Sequence, residues 1–388
     1  MTSRTVIKVL GLGGAGSNAV NHMIPVGIEG VEFIAANTDM QDLAKSEAPK
    51  RLLLGEHVTR GLGAGGLPHK GEAAAEESAN QISEALKGAD IVFIAAGMGG
   101  GTGTGAAPVA ARLARQSGAL TVAVVSTPFA FEGKRRWENA QLGLQKLEAQ
   151  CNSVIRIAND KLLYILPRAI TFDIALRAAD DVLRQGIQGI AELVTRPGLI
   201  NVDFSNIRSL MELQGGAYLS IGQGRGANKA IEAVQEALNN KLLESNTLQS
   251  AGGVLAHFTG GDDLTLFEID EAMKFLNAGA GPDAQVVLGA TLDESMTGRA
   301  QVILVATGVT PSQLRPVCAP RQPEPQAETA LAGALFANVQ PPPTRAVEWV
   351  VAADLQPDPE PGPSPLVMSP DNLDIPAFMR RRRLYAAK

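Results

Sequence analysis

The richest chemistry in the chain lies in Gly97-Met98-Gly99-Gly100-Gly101-Thr102-Gly103-Thr104-Gly105. This stretch follows the apolar run 91–96 and precedes an alanine-rich segment with Pro108 in its first turn, where a missing N–H does no harm. Strand, glycine loop and helix in this order gather backbone N–H groups and a positive helix end at one point, and Thr102 and Thr104 add hydroxyls. The guest expected by such a loop is a chain of phosphates.

Two more loops of this kind come earlier. Gly11-Leu12-Gly13-Gly14-Ala15-Gly16-Ser17-Asn18 turns a strand over 6–10 into a helix running toward Met23, with Gly11, Gly13 and Gly16 in the G-x-G-x-x-G spacing of doubly wound sheets. A second strand, 31–36, ends in Asn37-Thr38-Asp39, where a dinucleotide enzyme places its ribose-binding acid. As far as Asp39 the chain fits a nicotinamide enzyme and other nucleotide binders alike. Gly61-Leu62-Gly63-Ala64-Gly65-Gly66 then precedes a helical stretch over 72–86. Three such loops exceed the needs of one pyrophosphate and suit a nucleoside triphosphate gripped along its length. The pattern G-x-x-x-x-G-K-[ST] is absent and none of the three loops holds a lysine, so backbone dipoles and a metal ion are expected to neutralise the phosphates.

Further polar groups end other elements. A strand over 120–126 runs into Pro128-Phe129-Ala130-Phe131-Glu132-Gly133-Lys134-Arg135-Arg136, and a helix is expected to begin near Glu132. Basic residues in that first turn oppose the helix dipole, which leaves an external task and simple solvation both open. After a strand over 154–158, Asn159-Asp160-Lys161 can read an amide or amine edge. Ala178-Ala179-Asp180-Asp181-Val182-Leu183 continues through Ile187, Ile190, Ala191 and Val194 at helical spacing, giving a long buried central helix. Its acids, Asp180 and Asp181, suit either the dipole or recognition of a base. Arg196-Pro197-Gly198 breaks the pattern, and 199–208 reads as an exposed loop carrying the acid Asp203. A smaller α+β unit follows, with helices over 228–238 and 270–276 and strands over 253–259, 285–288 and 301–306.

Composition sets the frame for these elements. The chain has 388 residues, 45% hydrophobic and 19% charged, enough for two or three domains with a sizeable core. Its net charge of −6 argues against a nucleic-acid partner. Cys151 and Cys318 stand far apart and the four histidines are scattered, so neither a disulfide framework nor a metal box is expected. A strand-like run begins at Thr5 and no apolar run reaches the roughly 18 residues of a membrane span. A cytoplasmic protein that meets membrane only through a partner is expected. Proline-rich, aromatic-poor sequence over 311–369 reads as a disordered linker, and 370–388 as a docking peptide anchored by Leu373, Ile375 and Phe378 ahead of Arg380-Arg381-Arg382-Arg383.

Taken together, these motifs resemble the FtsZ family of tubulin-like bacterial cell-division GTPases. Residues 97–108 are similar to the tubulin signature loop, Asn201-Val202-Asp203-Phe204 to the synergy loop, and Asp374-Ile375-Pro376-Ala377-Phe378 to the adaptor-binding peptide. The resemblance implies an α/β fold: a Rossmann-type parallel-sheet GTP-binding domain over 1–175, a central helix over 176–198, and a smaller α+β assembly domain over 199–310. It implies GTP and GDP as ligands, with Mg2+ and, as an open question, K+. Phosphates would be held by Gly13, Gly14, Ala15, Gly16, Ser17 and Asn18 and by the loop from Gly99 to Gly105, with Asn37 and Asp39 nearby. Glu132 and Arg136 would meet ribose or phosphate, and Asn159 with Asp180 or Asp181 would read the guanine edge. Catalysis would fall to Asp203 and Asn206, reaching the next subunit of a head-to-tail filament at the division site. Leu373, Asp374, Ile375, Pro376 and Phe378 would dock a membrane-tethering adaptor. Two positions depart from the family pattern: Asn206 replaces a second acid, and Leu176 replaces a phenylalanine that packs on the base.

Overall fold

The computed structural model describes residues 5–28, 30–162, 171–195, 200, 203–213, 215–239 and 248–309. The breaker at 196–198, Asn201, Val202, the proline-rich stretch 311–369 and the peptide 370–388 lie outside the described residues. In chain order, β1 (Ile7–Leu12) leads into α1 (Gly13–Met23), β2 (Val31–Asn37) into α2 (Met40–Ala44), and β3 (Lys50–Leu53) into α3 (Glu56–Thr59), α4 (Pro68–Glu77) and α5 (Ala79–Leu86). Next, β4 (Ile91–Gly97) leads into α6 (Thr102–Gln116), β5 (Leu120–Thr127) into α7 (Lys134–Glu148), and β6 (Ser153–Ala158) into the one-turn α8 (Asn159–Leu162). The long α9 (Phe172–Thr195) and the short α10 (Phe204–Met211) precede β7 (Gly216–Arg225) and α11 (Lys229–Asn239). Last come β8 (Gly253–Gly260), α12 (Leu266–Gly279), β9 (Gln285–Leu292) and β10 (Arg299–Val309).

These strands form one ten-stranded sheet in the order β3-β2-β1-β4-β5-β6-β7-β10-β8-β9. The first six are parallel. Beyond them, β10 runs antiparallel to β7 and β8, and β8 parallel to β9. The two parts meet at the pair Ile155 and Ala217, on β6 and β7. Chain direction across the sheet reverses between β1 and β4, so their carboxyl ends, and the glycine loops that follow them, flank a switch point.

Alternation along β1 separates two cores: Ile7 and Val9 join one cluster, Leu10 and Leu12 another. The first cluster includes Leu183, Ile187, Ile190 and Ala191 of α9. Full burial of Leu183 and Ile187 contributes about 1.5–3 kcal/mol apiece and ties α9 to the sheet. The second includes the alanine face of α6, Ala106, Ala107, Ala110, Ala111 and Ala114, with Ile82 and Leu86 of α5. A third cluster, around Val234, Phe258, Ile269, Leu276 and Val302, fills the part built on β7 to β10. Among the described residues no helix is long and apolar enough to cross a membrane.

Several local expectations change. The helix expected over 72–86 begins at Pro68 and breaks at Ser78, whose Oγ accepts the Gly55 N–H at 2.9 Å. Near Glu132 the chain makes a 3-10 turn, and α7 begins at Lys134 after Gly133 at φ 96. The loop expected over 199–208 is helical from Phe204, because Ile207, Leu210 and Met211 are buried at helical spacing. β3 and β7 were not legible as strands. In β7 the obstacle is Gly222 and Gly224, where an added Cβ would sit 2.0 Å from the Ala233 and Lys229 carbonyl oxygens of α11. Glycine there serves the close approach of a helix.

Candidate functional site

The loops after β1 and β4 deliver two helix starts to the switch point. Leu12 precedes α1 and Gly101 precedes α6, and neither helix has a side-chain cap hydrogen bond or an acid in its first turn. Their first N–H groups are left for an external acceptor, and the helix dipoles favour an anionic one.

The glycines divide by function. An added Cβ at Gly103 would lie 2.5 Å from the Gly97 carbonyl oxygen, at Gly105 2.0 Å from that of Pro68, and at Gly16 2.3 Å from that of Ala95. These three let helices and strands touch backbone to backbone. At Gly14 a Cβ would meet only Asp42 Oδ2 at 3.4 Å, and at Gly100 only Arg136 Nη2 at 3.9 Å. The fold itself does not require glycine at those two positions, where the bare backbone faces open space that a ligand can approach closely. The two threonine hydroxyls already have partners within the fold. Thr104 Oγ1 is buried and accepts the Gly99 N–H at 2.8 Å, closing the loop, while Thr102 Oγ1 shares a 2.6 Å hydrogen bond with Thr38 Oγ1.

A cleft of about 270 Å³ opens over the loops, lined by Gly13, Gly14, Ala15, Gly100, Gly101, Thr102 and Gly103 and by Glu132, Arg136, Asn159, Leu176, Ala179 and Asp180. A second hollow of about 320 Å³ shares Gly14, Gly101 and Thr102 with it and adds Asn37, Asp39, Asp42, Lys45 and residues 63–66. Gly16, Ser17, Asn18, Gly99, Thr104 and Gly105 line neither. Glu132 is held by the Phe129 N–H at 2.8 Å and pairs with Arg136 Nη1 at 2.7 Å. Asn159 is 7% exposed, and its Oδ1 is buried without a hydrogen-bond partner, as is Ser17 Oγ. A buried amide oxygen left unpaired in a cleft is ready for a ligand donor.

The two neighbouring acids of α9 part company. Asp180 lines the cleft, and its Oδ2 accepts from Asn18 Nδ2 at 3.3 Å. Burial pushes its pKa up to about 6, with the Asn18 bond pulling the other way. Asp181 instead lines a separate hollow with His22, Glu47, Arg177 and Arg184. Burial would raise its pKa, but hydrogen bonds from Arg184 Nε at 2.6 Å and Gln185 Nε2 at 2.5 Å outweigh this, and the carboxyl lies below its ordinary range. Of the pair, only Asp180 can face a guest in this cleft.

Beside the third loop, Asn37 and Asp39 are partly consumed by the fold. Asn37 Nδ2 donates to Asp42 Oδ2 at 2.8 Å, and Asp39 Oδ1 caps α2 by accepting the Gln41 and Asp42 N–H groups at 2.9 and 3.2 Å. Asp42 and Lys45 were missed in the sequence; the helical spacing from Asp39 was their only signal. Among the described residues no three His, Cys, Asp or Glu side chains converge on a metal site. A hard cation here fits as one held mainly by phosphate oxygens and water, with Asp39 and Asp42 at hand.

Asp203 and Asn206 lie elsewhere. Asp203 occupies the N-cap position of α10, exposed and without a side-chain cap bond; Asn206 is exposed in the first turn, its N–H on the Asp203 carbonyl at 2.9 Å. Neither lines either hollow.

Comparison with known proteins agrees with this architecture. The Tubulin/FtsZ family GTPase domain matches residues 6–167, and the FtsZ family C-terminal domain matches residues 215–310. An empty FtsZ dimer from M. jannaschii is similar at 43% identity, over 79% of this chain and 89% of that one, with TM-score 0.76. A mutant of FtsZ from M. jannaschii is similar at 44% identity, over 79% and 92%, with TM-score 0.76. CetZ2 from Haloferax volcanii, as a GTPγS-bound protofilament, shares the fold at 22% identity, over 80% and 95%, with TM-score 0.69. With both parts matched in order and 43% identity over 89% of a solved relative, the chain belongs to the FtsZ family of tubulin-like GTPases.

Proposed function

We propose that this chain binds GTP in the cleft at the switch point, assembles head to tail, and hydrolyses GTP where Asp203 and Asn206 of one copy meet the phosphates held by the next. The observation that carries the reading is the split itself. The anion cradle and the unpaired acid Asp203 are both presented outward, on different elements, and Asp203 does not line the cradle. A contact that joins unlike surfaces and does not close on itself builds a filament. That the solved FtsZ relative is a dimer supports self-association.

In this reading the base lies against Leu176 and Ala179, Asp180 and Asn159 take its edge, and Glu132 and Arg136 meet ribose or phosphate. Backbone N–H groups at the starts of α1 and α6 hold the phosphates, and Mg2+ supplies charge neutralisation there when bound. The incoming Asp203 orients the attacking water and accepts its proton. Asn206 holds that water through its carbonyl oxygen but takes no proton. The part ahead of α9 then acts as the GTP-binding domain, α9 as the central helix, where 176–198 was expected, and the part that follows, as far as 310, as the assembly domain. The peptide bearing Leu373, Asp374, Ile375, Pro376 and Phe378 tethers the polymer to a membrane adaptor at the cytoplasmic division site, where the polymer forms the ring.

Asn206 favours a second reading, a GTP-assembled scaffold that hydrolyses slowly. Light scattering and phosphate release, recorded together with GTP and with GDP in Mg2+ and either K+ or Na+, decide between them. Scattering that rises with GTP alone and is followed by phosphate release supports the first reading. Scattering with little release supports the second, and no GTP-dependent scattering in any salt overturns both.

A further inference from the structure

The cleft and the hollow that adjoins it together carry more acid than base: Glu132 and Asp180 against Arg136 in the cleft, and Asp39 and Asp42 against Lys45 in the hollow. The unpartnered Asn159 Oδ1 and Asp180 mark the base end, and Gly14, Gly101 and Thr102, common to both hollows, lead the phosphates from the first into the second. The far end of a triphosphate therefore faces Asp39, Asp42 and Lys45.

Asp42 is the fixed charge of these three. Asn37, 3% exposed, donates Nδ2 to Asp42 Oδ2 at 2.8 Å, and the same oxygen lies 3.4 Å from where a Cβ on Gly14 would stand. The carboxylate is thus pinned toward the shared stretch of the cradle. Lys45 Nζ is 3.8 Å from Asp42 Oδ1 on a largely exposed side chain, so it offsets that charge weakly. Asp39 Oδ1 is occupied by the cap of α2.

Resting on the nucleotide reading above, we infer that Asp42 determines specificity in this cleft: its pinned carboxylate opposes a third phosphate and makes the preference for triphosphate over diphosphate depend on a divalent cation. A diphosphate ends near the shared residues and feels this charge less. Like charges several ångströms apart at a partly exposed site change affinity by about fivefold.

Calorimetric titration of the full chain with GDP and with a non-hydrolysable GTP analogue, each in Mg2+ and in EDTA, tests this. In the parent, removal of Mg2+ is expected to weaken the analogue about fivefold more than GDP. Asp42→Asn is isosteric and still accepts from Asn37; it should shrink that excess below about twofold by improving analogue binding in EDTA, and Asp42→Ala should do the same. If both nucleotides bind and the excess is unchanged by Asp42→Asn, the inference is overturned while the nucleotide reading stands. If the parent binds neither nucleotide in Mg2+, the nucleotide reading itself fails.

Discussion

Among single residues, Asp180 sets stability against binding. Burial holds its pKa near 6 against an ordinary value of 3.8. The nucleotide-free fold is therefore free of this penalty below 3.8, and loses stability as pH rises through about 6 and the carboxyl ionises. Asp180→Asn is expected to stabilise the empty protein at pH 7.5 by about 1–2 kcal/mol, allowing for partial exposure, and to leave it unchanged at pH 4. Thermal melts at the two pH values check this. GDP affinity of the parent should fall as pH drops below 6, since a protonated Asp180 no longer offers two acceptors to a base edge. The choice between Asp180 and Asp181 was not legible in the sequence. Adjacent residues on a helix point about 100° apart, and only the packing of α9 against α1 decides which carboxyl enters the cleft.

At the scale of the element, glycines that look alike in sequence do opposite work. Gly105 sits where α6 meets α4, with no room for a Cβ beside the Pro68 carbonyl, whereas Gly100 faces open cleft at an ordinary φ. Gly105→Ala is expected to cost about 3 kcal/mol in denaturant unfolding with nucleotide absent. Gly100→Ala should unfold within about 0.5 kcal/mol of the parent yet bind GDP about tenfold more weakly. Equal losses of stability in the two variants would contradict this division. The sequence was clear on five of the six parallel strands, β1, β2, β4, β5 and β6, because their continuous apolar runs are buried on both faces, and silent on the edge strand β3, which opens with the exposed Lys50 and Arg51. It was opaque at β7, where close packing on α11 demands glycines that mimic a loop. It was also opaque at α10, whose single apolar face begins only after the Asp203 cap.

For the molecule as a whole, one sheet carries two kinds of surface. The switch point between β1 and β4 presents a cradle with free backbone donors, and α10 presents Asp203 with no partner in its own cleft. Residue types and spacing pointed to a phosphate cradle at the glycine loops and to an exposed acid at Asp203, and the role of that acid came from the family resemblance. That Asp203 acts on a neighbouring copy was implied by the family resemblance alone, since distance through space has no signature in residue types; in the fold Asp203 lines neither hollow of its own chain. On the function proposed above, a complete hydrolytic site needs two copies. Phosphate release per molecule, measured at saturating GTP over a wide range of protein concentration, tests it most directly. Release near zero is expected in dilute protein, with a rise per molecule as copies associate that is lost in Asp203→Ala without loss of GDP binding. A rate per molecule that stays constant from dilute to concentrated protein would show that one copy suffices, and would contradict it.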